Sequence, residues 1–303
     1  MPVSAMHTFR QGRGILSTLK VGVSALSGPG PALGELPSVP VTDTVLPPQS
    51  SLLNDAVRWA GGNPKAYKDT LPPWLFAWWG VPLLAELLTQ TPYPALKVIN
   101  QGFAVDHRAS LPRGQALQLS ARIMGVREEP TKVRLHMQLV TGTADIPEAQ
   151  IVDLFTVIPQ KPPPGTPRRK RRRGPPIVDA GWTEVAEWRN GPKAGLDFAR
   201  LTGDFNPIHW IPAAARASGF KGCILHGFGI AARGLEHLAR NRWADGMGAF
   251  AGMDARFTAP LTLPGRARLF LGPAAEDAPK THGLAIGKSA GGQAFLLGTV
   301  RTR

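Results

Sequence analysis

The sequence predicts an α+β fold built twice, each half an antiparallel sheet curved round one long apolar helix. Three observations carry that expectation. The chain has 303 residues, above the ~100–200 of a usual single domain, so two modules or one duplicated module are expected. Each half holds one apolar helical stretch followed by a run of strand-like segments, and the alternating βαβ units of a parallel sheet are missing. The halves also share landmarks in the same order: Asn-Pro at Asn63 and Asn206, an apolar helix near Trp79 and His226, and Leu-Pro at Pro112 and Pro264. The Asn-Pro pairs lie 143 residues apart and the Leu-Pro pairs 152. Similar offsets for landmarks in one order point to duplication.

In the first half, the stretch LPPWLFAWWGVPLLA before Glu86 is the most apolar region. It is shorter than the ~20 residues needed to cross a bilayer and contains three prolines, so it reads as a buried helix and no membrane span is expected. The segments ALKVINQGFAV, QALQLSARIMGV, KVRLHMQLV and AQIVDLFTVI then read as strands. In the second half, Phe228 to Leu238 is apolar on most faces and must be wrapped by something. The strand-like runs AFAGMDARFTAP, RARLFLGP, HGLAIGK and GQAFLLGTVRT follow it.

Between the halves, six consecutive cations from Arg168 to Arg173 are bracketed by KPPPGTP and GPP. Proline keeps its neighbours out of helix and like charges repel, so this segment reads as an extended tether. The expected division is residues 1–159 for a first repeat with an extended N-terminal segment, 160–176 for the basic linker and 177–303 for a second repeat. The net charge of +14 is concentrated in part in this run. No aromatic residue interleaves it, so specific nucleic-acid recognition is not expected. Attraction of a phosphorylated cofactor or an acidic partner is the lesser role, and a polyanion-binding protein is the remote one.

The single cysteine, Cys223, cannot form an internal disulfide and reads as a small buried apolar residue. No signal peptide with an apolar core is visible, and a cytoplasmic setting is expected. The first 34 residues lack Asp and Glu and so imitate an organelle transit segment, but their Gly and Pro content opposes an amphipathic helix.

The chemistry-bearing cluster is LTGDFNPIHWIPAAARASGFKGCILHGFGIAARGLEHLA. Asp204 and His209 are five apart, with Asn206 and Pro207 between them. Proline restrains its own φ and keeps Asn206 out of helical geometry, so carboxylate and imidazole ride on an ordered turn. Two groups of different basicity on one short loop can both hydrogen-bond one water. His226-Gly227 follows at the expected start of the long helix, where N–H groups lack intrahelical partners and the dipole favours negative charge. Gly227 has no Cβ, so a carbonyl oxygen can approach its N–H, as stabilising an enolate-like oxygen requires.

These residues resemble the MaoC-like, or hydratase 2 type, (R)-specific enoyl-CoA hydratases and 3-hydroxyacyl-thioester dehydratases. The signature Gly-Asp-x-Asn-Pro-x-His runs from Gly203 to His209, and the His-Gly at the head of the helix is His226-Gly227. ARFTAPLTLPGRARL also looks like the segment that follows the helix in that family. The resemblance covers roughly residues 177–303, and the first half resembles the degenerate partner repeat of double hot-dog members.

The resemblance implies a double hot-dog fold that hydrates trans-2-enoyl thioesters reversibly to (R)-3-hydroxyacyl thioesters. Asp204 and His209 would activate water, and the Gly227 N–H would polarise the thioester oxygen. Gly203, Asn206 and Pro207 would support the loop, with His226 a secondary candidate. No metal and no redox cofactor are implied; coenzyme A or acyl carrier protein arrives as part of the substrate. Trp210, Phe228 and Trp79 are candidates for lining an acyl tunnel, though Trp210 and Trp182 could equally be packing. In the first half Gly61 and Ala66 stand opposite Asp204 and His209, and Trp79-Gly80 opposite His226-Gly227, so one competent site per chain is expected. The first half would then shape the tunnel, with Trp74, Phe76, Trp78 and Trp79 as apolar wall or core. The chain forms a pseudo-dimer by itself, and a homodimer of such units is allowed.

Three other readings compete. A hot-dog acyl-CoA thioesterase would place water at the carbonyl instead of C3. A non-catalytic acyl-thioester binding subunit would not need Asp204 and His209. A metal site from Asp204, His209 and His226 is conceivable, although nothing in their spacing demands it.

Overall fold

The computed structural model describes residues 3–16, 30–162, 164 and 174–303; the basic run from Arg168 to Arg173 lies outside the described residues. Ten strands form one antiparallel sheet. The first five are β1 (Val41–Val45), β2 (Ile99–His107), β3 (Leu117–Glu129), β4 (Lys132–Gly142) and β5 (Gln150–Pro159). The second five are β6 (Thr183–Asn190), β7 (Phe250–Phe257), β8 (Gly265–Ala275), β9 (Ala278–Gly287) and β10 (Ala294–Thr302). Their spatial order is β1-β3-β4-β5-β2-β7-β10-β9-β8-β6. Read outward from the β2–β7 seam, each half repeats the other strand for strand. At that seam Phe103 pairs with Ala255 and Val105 with Met253, all four buried.

Six α-helices lie wholly within the described residues, α1 (Met6–Phe9), α2 (Ser50–Ala60), α3 (Phe76–Thr89), α4 (Ala194–Thr202), α5 (Pro212–Ala217) and α6 (Gly227–Asn241), beside a helical segment at 12–16 and short 3₁₀ turns. Each half-sheet packs on one long helix, β1, β3 and β4 on α3 and β6 and β10 on α6. The strands are two-faced for that reason. In β4, Val133, Leu135, Met137 and Leu139 alternate inward and are buried, while the residues between them stay in contact with solvent. Small residues let each helix sit close to its sheet. A Cβ on Gly80 would overlap the Leu139 side chain, and one on Gly234 would come 2.6 Å from Ile286 Cδ1.

The duplication extends to the loops. Asn63 Oδ1 accepts from the Lys65 N–H, and Asn206 Oδ1 accepts from the Ile208 N–H, each capping a short 3₁₀ turn that begins with proline. Leu71 N–H donates to Leu111 O, and Leu225 N–H donates to Leu261 O, just before the two long helices.

These equivalences correct two alignments made from sequence. Gly61 and Gly203 are the matching left-handed caps, at φ 95° and 82°, so the place of Asp204 falls on the stretch beginning at Gly62, one residue shorter in the first half. Gly80 matches Gly234, and the first-half counterpart of His226-Gly227 is Pro72-Pro73. Trp79-Gly80 lie two turns further along. The correction carries chemistry, because proline has no N–H to donate.

The halves are also tied by side chains. Glu236 of α6 is buried and accepts hydrogen bonds from Tyr67 Oη (2.5 Å) and Trp74 Nε1 (2.7 Å). Burial pushes its carboxyl up to about 7.

Candidate active site

The loop after α4 is held by its own side chains. Gly203 takes the left-handed conformation open to glycine, and its N–H donates to Ala199 O. Asp204 Oδ1 accepts from the Asn206 N–H at 3.3 Å, and Asn206 Oδ1 from the Ile208 N–H at 3.3 Å. Pro207 opens the single 3₁₀ turn Pro207–His209, which delivers His209 to a buried position. Gly203, Asn206 and Pro207 thus supply a helix cap, an Asx-type bond and a turn start.

His209 Nδ1 lies 2.8 Å from Ile224 O. A carbonyl only accepts, so Nδ1 carries the proton and Nε2 keeps a lone pair. His226, the N-cap of α6, stacks on His209 with ring centroids 3.5 Å apart and also lies 4.8 Å from the Phe198 ring. Its Nε2 donates to Asp204 O at 3.0 Å and stands 3.8 Å from Asp204 Oδ2. His226 thus binds the loop to the helix mouth, a larger part than its secondary standing in the sequence suggested.

Burial holds both imidazoles neutral. His209 is pushed below the ordinary imidazole value by burial, against the opposing pull of Asp204. His226 is pushed down to about 3, first by burial and then by the neighbouring His209. An unfolded histidine titrates near 6.5, so the unfolded chain binds the extra proton first as acid is added. The stability carried by neutral His226 is complete above pH 6.5 and is lost as pH falls towards 3. A His226→Gln variant is expected to show a flatter fall in urea midpoint between pH 7 and pH 4 than the parent. Parallel curves would show that His226 does not couple to folding.

The Gly227 backbone completes the site. No side chain caps the start of α6, so its first N–H groups have no side-chain partner. Only glycine fits here, since a Cβ would come 2.5–2.7 Å from atoms of the Phe257 ring. Asp204, His209 and Gly227 share one cavity of about 290 Å³, walled by Phe228, Phe257 and, from the first half, Ile99. A cavity at the lower end of the usual ligand-pocket range, apolar with a few convergent polar groups, has the character of a small-molecule site.

The tunnel candidates separate. Phe228 lines the cavity. Trp79 is in the core of the first half, where its Nε1 donates to Thr141 Oγ1 at 3.1 Å, and Trp210 is partly exposed and donates to Phe205 O. Neither is among the lining residues. Trp74 and Phe76 belong to the core and border a small second void, so the first half reaches the cavity through Ile99 and Asn100 instead. Trp182 packs over Gly272 and Gly283, where any Cβ would meet its ring. Cys223 is buried.

Sequence reasoning missed Gly195, Phe198 and Phe257. A Cβ on Gly195 would overlap His209 O, so that glycine lets α4 lie directly on the turn Pro207–His209. No spacing rule marks it. Ligand-type atoms of Asp204, His209 and His226 also lie within 4.8 Å of one another, a two-imidazole, one-carboxylate set of the kind that suits divalent transition metals. Each imidazole there already gives its N–H to a backbone carbonyl, leaving one lone pair per ring.

A sheet of two five-stranded halves, each wrapped on its own helix and joined edge to edge, defines the double hot-dog class. Residues 172–270 match the MaoC like domain. A comparison with curated protein sequences finds no match. Among solved structures, HtdX of Mycobacterium tuberculosis is similar over 88% of this chain and 100% of its own, at 24% identity and TM-score 0.67. The peroxisomal multifunctional enzyme type 2 of Drosophila melanogaster is similar over 87% of this chain and 48% of its own, at 16% identity and TM-score 0.68. A conserved hypothetical protein of Mycobacterium tuberculosis with a double hotdog fold is similar over 90% of this chain and 99% of its own, at 14% identity and TM-score 0.56. Among the described residues no helix is long and apolar enough to cross a membrane.

Proposed function

We propose that the protein adds water reversibly across the C2=C3 bond of a trans-2-enoyl thioester of coenzyme A or acyl carrier protein. One observation carries this reading: a carboxylate, an imidazole with a free Nε2 and the N–H-rich mouth of a helix share a single apolar cavity. Water held between Asp204 and His209 Nε2 loses a proton as its oxygen attacks C3. The pair returns a proton to C2, so hydroxyl and hydrogen both derive from water. Attack at C3 drives negative charge onto the thioester oxygen, which the Gly227 N–H stabilises. The MaoC-like domain supports this chemistry, and the likeness of the Gly203–His209 segment to that family supports an (R)-3-hydroxy product.

All these groups come from one chain, so a second copy is not needed to complete the site. In the first half Ala66 replaces the imidazole and Pro73 removes the N–H, which supports one working site per chain. The reading uses no metal and no redox cofactor, and the buried thiol of Cys223 fits a reducing, cytoplasmic setting.

Crotonyl-CoA and longer enoyl-CoA substrates are expected to lose their conjugated absorbance with this protein, with or without EDTA. Release of free thiol from a saturated acyl-CoA would favour the thioesterase, and tight binding without turnover the binding subunit.

Phe228 sets the acyl end of the pocket. It faces the main cavity and also borders the second void behind it, in an aromatic cluster with Phe76, Phe103 and Phe257. Phe228→Ala is expected to join the two spaces and raise kcat/KM for long enoyl chains relative to crotonyl-CoA by about tenfold, the scale of burying one or two further methylenes. An unchanged chain-length profile would show that the pocket ends elsewhere.

A further inference from the structure

We propose that residues 3–16 form a strap that positions the catalytic loop, with Gln11 and Gly14 as its positioning residues; this rests on the assignment of Asp204 to catalysis. The strap is anchored on the first half. Val3 is buried, His7 Nε2 lies 2.9 Å from Asp55 Oδ2, and Arg10 Nη1 donates to Ser51 Oγ at 2.6 Å, both partners on α2. Arg13 pairs with Asp43 of β1.

From these anchors two residues reach the second half at the point where the catalytic loop begins. Gln11 is 3% exposed, and its Nε2 donates to Arg200 O at 2.8 Å. Arg200 O is in the last turn of α4, where carbonyls have no intrahelical donor, so Gln11 fixes the helix end. Gly14 meets Gly203 backbone to backbone. A Cβ on Gly14 would stand 2.8 Å from both Gly203 Cα and Gly203 O, and Gln11 Oε1 also faces the hydrogen side of Gly203.

Gly203 is the left-handed hinge immediately before Asp204, so its position sets that of the carboxylate. Any displacement passes on through Asp204 O to His226 Nε2, and from His226 to the ring stacked on it. Misplacing reacting groups by about 1 Å can lower rates on the order of 100-fold. A tenfold loss of kcat therefore needs only a small shift of the loop. The residue two before Gly14 provides a control within the same segment: a Cβ on Gly12 meets nothing within 4 Å.

The test compares Gly14→Ala, Gly12→Ala and Gln11→Met in the full chain, by enoyl-CoA hydration kinetics and by NMR of the His209 and His226 ring signals without substrate. Gly14→Ala and Gln11→Met are expected to lower kcat about tenfold or more with KM near that of the parent, and to move both ring signals. Gly12→Ala should leave rates and signals unchanged. Unmoved ring signals, or an unchanged kcat in an active background, overturn the strap. Should Gly14→Ala fail to fold, Gln11→Met, which keeps the volume and loses the hydrogen bond, decides by the same readings. If the parent itself hydrates no enoyl thioester, the catalytic assignment falls, while the ring signals still decide whether the strap holds the loop.

Discussion

Asp204→Asn is expected to lower kcat for enoyl hydration by about 10²–10⁴-fold, the range carried by a positioned acid or base. The substitution isolates charge from shape. Asparagine still offers an oxygen to the Asn206 N–H, the bond that now closes the loop at 3.3 Å, so the turn keeps its form. What it lacks is a carboxylate to accept a proton from water. His209→Ala is expected to match it in kcat, but with a structural penalty, since Ile224 O loses its donor and His226 loses its stacking partner. His209→Gln, which can still donate to Ile224 O, separates the two effects. KM should change little in Asp204→Asn, because the cavity walls formed by Phe228, Phe257 and the helix mouth remain. Loss of conjugated absorbance gives the rates, and thermal unfolding checks the fold. Parental turnover in both Asp204→Asn and His209→Gln would remove these residues from the mechanism.

The candidate site of the second half was readable in the chain because its residues are local in sequence. Asp204, Asn206, Pro207 and His209 sit on one turn whose geometry proline and an Asx cap dictate, and Gly227 opens a helix announced by its apolar period. The duplicated α+β plan was readable for a similar reason, through Asn63 and Asn206 as recurrent caps.

What escaped was decided by contacts distant in sequence. β1 and β6 are edge strands of mixed exposure, and their pairing with β3 and β8 spans large sequence separations. Trp79 was a candidate tunnel wall because an apolar aromatic side chain suits a wall as well as a core, yet Gly80 serves Leu139 and the indole serves Thr141. The alignment of Trp79-Gly80 with His226-Gly227 failed because the first-half helix is entered through a 3₁₀ turn, Pro73–Leu75, that carries no glycine. His226 gained importance only when its ring was seen between the Asp204 carbonyl and the His209 ring.

That first-half entrance leads to the second large effect expected. Pro73 shows that the start of the long helix accepts proline, and His226 at ψ 138° already has the extended geometry that a residue before proline needs. Gly227→Pro would therefore delete the one N–H assigned to the thioester oxygen while leaving a helix start of a kind this chain already uses. Space is the obstacle, since even a Cβ at residue 227 collides with the Phe257 ring. The informative pair is Gly227→Pro/Phe257→Ala against Gly227→Ala/Phe257→Ala. Both relieve the collision and both lose the same ring, so any deficit common to them belongs to packing. The difference between them belongs to the N–H, and is expected to be about 10²–10³ in kcat, the scale of removing one donor to a developing oxyanion. It should fall on kcat rather than KM, because charge reaches the thioester oxygen as water attacks and is small in the bound substrate. Equal kcat for the two double variants would place the polarising donor elsewhere in the first turn of α6 and leave Gly227 with a purely steric task beneath Phe257.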